Sequence, residues 1–286
     1  MTKTLRLLAP DWQAGDQPVY YLGAQLLSWL APKNAQQTEV RLPITAPDGE
    51  PLARENGVTA QATVRNNVQL AQDAITTEQP DKIITFGGNC LVSQAPFSYL
   101  HEKYDEDLGV LWLDAHPDIS TPTIFQNEHA MVLGNLLGHG DPALAELVAQ
   151  PFNPNHIRYV GLQQPTTDEV PLLQQLGLSY QLETDTDIDI AAIQAWITAH
   201  HFKHLAIHFD LDVLDPQWFK GQYFAEPGRV DFPAAAGKLT PAIVLQLLAQ
   251  LSADNDIVGL TLAEYLPWDA VTLQKFMAKI NIFGRL

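Results

Sequence analysis

Short apolar or β-branched runs alternate along the chain with longer stretches whose apolar positions recur at helical spacing. Leu5 to Leu8, Thr38 to Leu42, Lys82 to Phe86, Val110 to Leu113, Ile157 to Leu162, Leu178 to Leu182, Leu205 to Phe209 and Ile257 to Leu262 read as strands. Helices are expected at Val19 to Leu30, Val64 to Thr77, Ala95 to Tyr104, His129 to Leu137, Pro142 to Ala149, Ile188 to Ala199, Pro241 to Leu251 and Ala270 to Ile280. Val64, Val68, Leu70, Ala71 and Ile75 repeat at helical spacing, and Pro241 sits where a helix tolerates a missing N–H. Val110 to Leu113 is apolar throughout, as in a strand covered on both faces.

Eight strands separated mostly by helices imply a parallel sheet with helices outside it. The pattern alone fits either an open three-layer αβα sandwich or a closed eightfold β/α barrel. No internal repeat or long linker divides residues 1–286, so one domain is expected. The longest irregular stretch runs from Asp212 to Leu239 and carries Trp218, Tyr223 and Phe224. Loops of this length are often functional, although aromatic ones also pack simply as surface cover.

Composition narrows the function. Sixteen basic and 33 acidic residues give a net charge of −17, and hydrophobic residues make up 46%. That charge argues against nucleic acid and anionic membrane as partners and favours cationic ligands. The one cysteine, Cys90, permits no intrachain disulfide. The N-terminal apolar run breaks at Pro10 and is too short for a signal-peptide core. With no run of about 18 apolar residues, a soluble cytoplasmic protein is the default expectation.

Polar chemistry concentrates after two apolar strands. Asp114-Ala115-His116-Pro117-Asp118 follows the first. In extended backbone, residues i, i+2 and i+4 face one way, so Asp114, His116 and Asp118 share a side. Such a set suits a divalent metal, and a plain turn is the competing reading. His208-Phe209-Asp210-Leu211-Asp212 follows the second strand, and Asp210 and Asp212 share a face. Like charges this close repel unless a cation or a proton lies between them. His208 has the same parity one step down the strand and reads as a packed, hydrogen-bonded core histidine. Asp215-Pro216 reads as a turn. Four aspartates and a histidine at the carboxyl ends of parallel strands are most economically reconciled by two metals with bridging carboxylates.

These stretches resemble the ureohydrolase superfamily of arginase, agmatinase and formimidoylglutamase. That family is marked by a GGDH turn, a DAHxD motif, a histidine in an xNxHG-like segment, SxDxDxxDP, and a late Glu followed by Pro. The matches here are Gly87-Gly88-Asn89-Cys90, Asp114 to Asp118, Asn127-Glu128-His129-Ala130, His208 to Pro216 and Glu264-Tyr265-Leu266-Pro267. The resemblance implies the three-layer sandwich with an eight-stranded, mostly parallel sheet. It also implies two divalent ions, manganese by family. Asp114 and Asp210 would bridge them, with Asp118 on one side and His116 and Asp212 on the other. A metal-bridging hydroxide would attack the carbon of a guanidino or formimino group, releasing urea or formamide. His129 would shuttle a proton, and Glu264 with Asn127 would bind a small cationic amidine. Trimers or hexamers are the family's assemblies.

The pattern also departs from the family. Cys90 stands where the first ligand histidine is expected, with Asn89 before it. Either its thiolate ligates and draws zinc, iron or nickel in place of manganese, or Cys90 is a small buried apolar residue. Phe125, the Val160 to Gln164 segment and the Tyr223 to Lys238 stretch lack the polar groups that would hold an amino acid's carboxylate and ammonium. An agmatine-like or other small guanidino compound therefore fits better than arginine. Two further readings compete with the hydrolase: a member that has lost hydrolysis and serves in binding or regulation, and an unrelated α/β barrel hydrolase.

Overall fold

The computed structural model describes residues 2–183, 188–280 and 282. In chain order its elements are β1 (Thr4–Ala9), α1 (Val19–Leu30), β2 (Thr38–Arg41), β3 (Arg54–Glu55), β4 (Val58–Thr59), α2 (Gln61–Glu78) and β5 (Lys82–Gly87). Next come α3 (Gln94–Tyr104), β6 (Leu108–Leu113), α4 (Val132–Leu136), α5 (Pro142–Ala145), β7 (Ile157–Val160) and α6 (Glu169–Gln175). The chain ends with α7 (Ile190–Ala199), β8 (His204–Asp210), α8 (Pro241–Asp254), β9 (Asp256–Ala263) and α9 (Trp268–Ala278).

Seven strands form one sheet in the order β2-β1-β5-β9-β8-β6-β7, and every pairing is parallel. The alternation within β6 shows how the layers form. Leu108, Val110 and Trp112 join a core with residues of α2, α3 and α4, whereas Leu111 and Leu113 join a second core with α7 and α8. Side chains of period two thus feed opposite faces, and helices cover both. The fold is an open αβα sandwich; the barrel is excluded because β2 and β7 are edges.

Three expectations need correction. Leu178 to Leu182 is not a strand, so the described sheet has seven strands and not eight. Leu178 and Tyr180 pack into the core, but Leu178 N–H bonds back to Leu173 O, and the backbone meets the end of β7 only past the segment, from Glu183 N–H to Leu162 O, among the described residues. Burial accounts for Leu178 and Tyr180 in its apolar alternation, and Leu182 is exposed. The seven-residue helix α6 was not expected, because Pro171 obscures its period. The β3–β4 hairpin was also missed, although Asn56 (φ +50°) and Gly57 (φ +91°) supply the left-handed pair that a tight hairpin turn requires.

Because β5, β9, β8 and β6 are adjacent and parallel, their carboxyl ends lie side by side. Gly87-Gly88-Asn89-Cys90, Glu264, Asp210 and Asp114 all emerge there. Sequence positions up to 174 apart meet at one rim.

Candidate metal centre

Each buried acid is set by a local turn. Asp210 ends β8, and its Oδ1 accepts the N–H of Asp212 at 2.7 Å, starting a one-turn 3-10 helix over Leu211–Val213. Asp114 repeats the device on β6, where Oδ1 accepts the His116 N–H at 2.7 Å. Asn89 caps the 3-10 helix Cys90–Ser93 by accepting the Leu91 N–H. Its amide also donates to Asp11, fixing the turn from behind. Glu264 sits just beyond β9 at φ +63°, held by its N–H to Gly88 O. Asp215 makes the expected turn, accepting the Gln217 N–H.

These devices bring donor atoms together. Three groups of side chains each place one ligand atom within 4.8 Å of all the others: Cys90, Asp114, His208 and Asp210; Asp114, His116 and Asp212; Asp210, Asp212 and Glu264. Asp118, at φ +52° after the chain has left the strand, falls in none of them but is buried beside Asp114. The parity argument fails for Asp118 because β6 ends at Leu113.

Asp114, Asp118, Asp210, Asp212 and Glu264 are all buried. Burial first, then neighbouring carboxylates, pushes the Asp118 and Asp210 carboxyls well up and Glu264 to about 8. Burial and the surrounding acids likewise raise the Cys90 thiol, whose Sγ lies 2.8 Å from Asp210 Oδ2 and 3.4 Å from Glu264 Oε1. Despite the cost of its burial, Asp114 is held low by His116 and His208.

The donor set fits divalent cations. His116 Nε2 donates to Ala235 O at 3.0 Å, turning its Nδ1 toward Asp212 Oδ2 at 3.1 Å. A nitrogen lone pair and a carboxylate oxygen face each other there, so a cation or a proton belongs between them. Asp114 Oδ2, Asp118 Oδ2 and His208 Nε2 are buried without a hydrogen-bond partner among the described residues. Unpaired buried groups of this kind cost several kcal/mol, roughly, unless a cation meets them.

The remaining expected residues line the rim. His129 is half-buried, and its Nδ1 donates to Ala14 O at 3.1 Å, leaving Nε2 as the lone-pair nitrogen. Burial lowers its basicity, so the ring is neutral near pH 7. Asn127 Nδ2 donates to the neighbouring Gly15 O at 3.3 Å. Phe125 lies edge-on to His129, and Phe224 lies over His116, with ring centroids 5.8 Å apart in each pair.

The model of the arginase family matches residues 32–280. The chain belongs to the arginase family. Curated arginases of Coccidioides posadasii and Entamoeba histolytica are 30% identical over 150 residues and 31% identical over 166. Those matches cover 48% and 54% of this chain and 47% and 55% of the arginases, so the chain spans about half the length of the curated relatives it matches. The crystal structure of the Entamoeba histolytica arginase in complex with L-ornithine superposes with a TM-score of 0.78 at 18% identity, covering 99% of this chain and 100% of that one. The Bacillus caldovelox arginase gives a TM-score of 0.71 at 19% identity, covering 93% and 92%. The arginase fold is therefore shared throughout.

Two contributors escaped the sequence. Tyr20, in the first turn of α1, donates to Glu264, and no local pattern announces a contact 244 residues away. His208 is buried as expected, stacked on Trp112 and bonded to Ser93, yet its second ring nitrogen faces the acids. Its parity with Asp210 and Asp212 was the available signal.

Proposed function

We propose that this arginase-family chain is a metal-dependent hydrolase that cleaves a C–N bond of a linear amidine, releasing urea or formamide. One observation carries the reading: five buried carboxylates converge with two imidazoles and a thiol at the carboxyl ends of adjacent parallel strands. Without cations their mutual repulsion would oppose folding, which counts against a member retained only for binding.

Asp114, His116, Asp118, Asp210 and Asp212, with Cys90, would hold two divalent ions. Such ions supply Lewis acidity and an activated water at neutral pH. His129, neutral and anchored through Nδ1, takes a proton at Nε2 and returns it to the departing amine. Glu264 accepts charge-assisted hydrogen bonds from the cationic end of the substrate, and Asn127 sits beside His129 at the same rim. Phe125 and Phe224 give the mouth apolar walls, which favours a guanidino compound without an α-carboxylate, such as agmatine, over an amino acid. Assembly into a homo-oligomer belongs to the same proposal. Exposed Leu273, Phe276 and Met277 form an apolar stripe along α9, continued by Ile280 just past its end, that a second copy would cover. No described helix is long and apolar enough to cross a membrane.

The test is metal stoichiometry after reconstitution, followed by urea and formamide release from agmatine, arginine and a formimino compound. Two ions per chain with release from one of these substrates is the expected result. A chain that retains no divalent ion under any loading condition would overturn the reading.

A further inference from the structure

We propose that His208 is a metal ligand, completing with Cys90, Asp114 and Asp210 a four-donor centre that takes zinc in preference to manganese. This rests on the reading above that the site holds divalent ions, and adds a ligand and a selectivity to it.

The geometry is that of a built site. The Cys90 Sγ, a His208 ring nitrogen and one oxygen each of Asp114 and Asp210 lie within 4.8 Å of one another, and all four residues are buried. His208 Nε2 is 3.5 Å from Asp114 Oδ2, and both atoms otherwise lack hydrogen-bond partners among the described residues. Two donors on one ion, each about 2.1 Å from it at a roughly tetrahedral angle, stand about 3.4 Å apart. The His208–Asp114 spacing therefore leaves room for an ion, whereas Cys90 Sγ and Asp210 Oδ2, 2.8 Å apart, share a hydrogen bond that ligation would replace.

The ring is also held as a ligand ring must be. Trp112 stacks on it with centroids 3.9 Å apart and planes 12° from parallel. The Ser93 hydroxyl meets Nδ1 at 2.7 Å. When Nδ1 donates that hydrogen bond, Nε2 presents its lone pair to the acids, as the outer partner of a metal-bound histidine requires. Ser93 stands three residues after Cys90 on the 3-10 helix Cys90–Ser93. Side chains at i and i+3 eclipse in such a helix. One turn thus carries both a ligand and the group that aims the other.

Composition then sets the ion. One sulfur, one nitrogen and two carboxylate oxygens suit a borderline ion such as zinc, whereas manganese favours oxygen. The neighbouring group, Asp114, His116 and Asp212, has no sulfur and is harder. His208 stands where the family motif has serine, and Cys90 where it has histidine. The imidazole has moved from the turn after β5 to the end of β8.

The experiment uses the full chain in a His116→Ala background, loaded with one equivalent of zinc and measured by zinc-edge X-ray absorption and competitive titration. Expected are one sulfur at about 2.3 Å and imidazole scattering. His208→Asn should remove the imidazole signal and keep the sulfur, with zinc affinity down at least about tenfold. Ser93→Ala keeps every donor and should weaken zinc by about tenfold or more; it carries the test if His208→Asn does not fold. Exchange of both positions, Cys90→His with His208→Ser, should move preference toward manganese further than either change alone. Undiminished zinc affinity in His208→Asn or Ser93→Ala, or bound zinc without sulfur and imidazole neighbours, would overturn the assignment while leaving the hydrolase reading standing. Absence of any divalent binding by the wild-type chain would instead bring down both.

Discussion

Tyr20 Oη donates a 2.6 Å hydrogen bond to Glu264 Oε2 across 244 residues of chain. Gly23, one turn further along α1, packs so closely on the next residue that an added Cβ would lie 1.8 Å from Tyr265 O. Residues i and i+3 share a helix face, so one face of α1 grips both the backbone and the carboxylate of this segment. Room for the Tyr20 ring comes from Gly15, where a Cβ would approach it to 2.7 Å, while Gly88 lets the Asp11 backbone close in, its Cβ position lying 1.7 Å from Asp11 O. Oε2 is thereby engaged, and Oε1 is the oxygen left toward Cys90 and the acids.

Tyr20→Phe keeps the ring and removes the donor. A buried hydrogen bond to a charged group is worth about 1.5–3 kcal/mol. The variant should weaken binding of a guanidino substrate about tenfold, with KM rising more than kcat falls. Steady-state kinetics and calorimetric titration with guanidinium at millimolar concentration would show it. Unchanged KM and guanidinium affinity would mean that Tyr20 does not aim Glu264.

Gly23→Ala tests the backbone half of the grip. Its methyl group would meet the carbonyl oxygen of Tyr265, two residues before the Pro267 that caps α9. Overpacking of this kind costs about 1–3 kcal/mol. Urea denaturation should show a loss of that size, and substrate affinity should fall with it because Glu264 shifts. A variant as stable as the wild type would show that α1 can slide without penalty.

Much of the sheet was legible because β6 announces itself by a continuous apolar run and β8 by one broken only at His208, each feeding two separate cores. Leu178 to Leu182 misled for a related reason: Leu178 and Tyr180 report burial, which a packed loop shares with a strand. Within the site, Asp114 and Asp210 were legible as the polar ends of apolar strands, whereas His116 and Asp212 lie past the extended backbone and are brought back by the turns that Asp114 and Asp210 cap. Asp118 was not legible in this way, because the chain has left the strand and turns left-handed at that residue. Tyr20 was illegible in principle, as its partner is set by tertiary packing.

Asp210 belongs to two of the three donor groups. Asp210→Asn removes a charge shared by both and leaves the N–H of Asp212 an amide oxygen to bond. The fold should persist and metal content should collapse, with activity falling below detection. Elemental analysis beside a melting curve separates the two effects. Full metal content in this variant would exclude a site built around Asp210.

Behind the rim of the site, Glu128 is buried next to His129, and burial followed by the neighbouring Asp141 raises its carboxyl to about 9. Gln61 Nε2 donates to Asp141 Oδ2 at 2.6 Å, and Asn135 donates to Glu128 Oε2 while its Oδ1 accepts the Asp141 backbone N–H. Folded Glu128 keeps a proton that the unfolded chain releases above about pH 4.5. Its contribution to stability therefore declines as pH rises from there toward 9. Glu128→Gln mimics the protonated form. It should be more stable than the wild type at pH 8 by about 2 kcal/mol or more, with the gain vanishing near pH 4.5. Denaturation curves at both pH values decide; a gain independent of pH would place the cause elsewhere.

Chelation should make the whole molecule sensitive to pH in the same sense, and more strongly. In the metal-free chain Asp118, Asp210 and Glu264 all titrate above their ordinary values, Glu264 near 8. The folded state then holds protons that the unfolded chain gives up above about pH 4, so metal-free stability falls as pH rises through the folded values. Ion binding runs the other way. Its ligands must be ionised, so the ions compete with fewer protons at higher pH and stabilise the folded state more. The gap in melting temperature between metal-loaded and chelator-treated protein should therefore widen steadily between about pH 5 and pH 8. Scanning calorimetry of the two forms at matched ionic strength measures that gap directly. Parallel melting curves across this range would show that the buried carboxylates are paired by something other than bound cations.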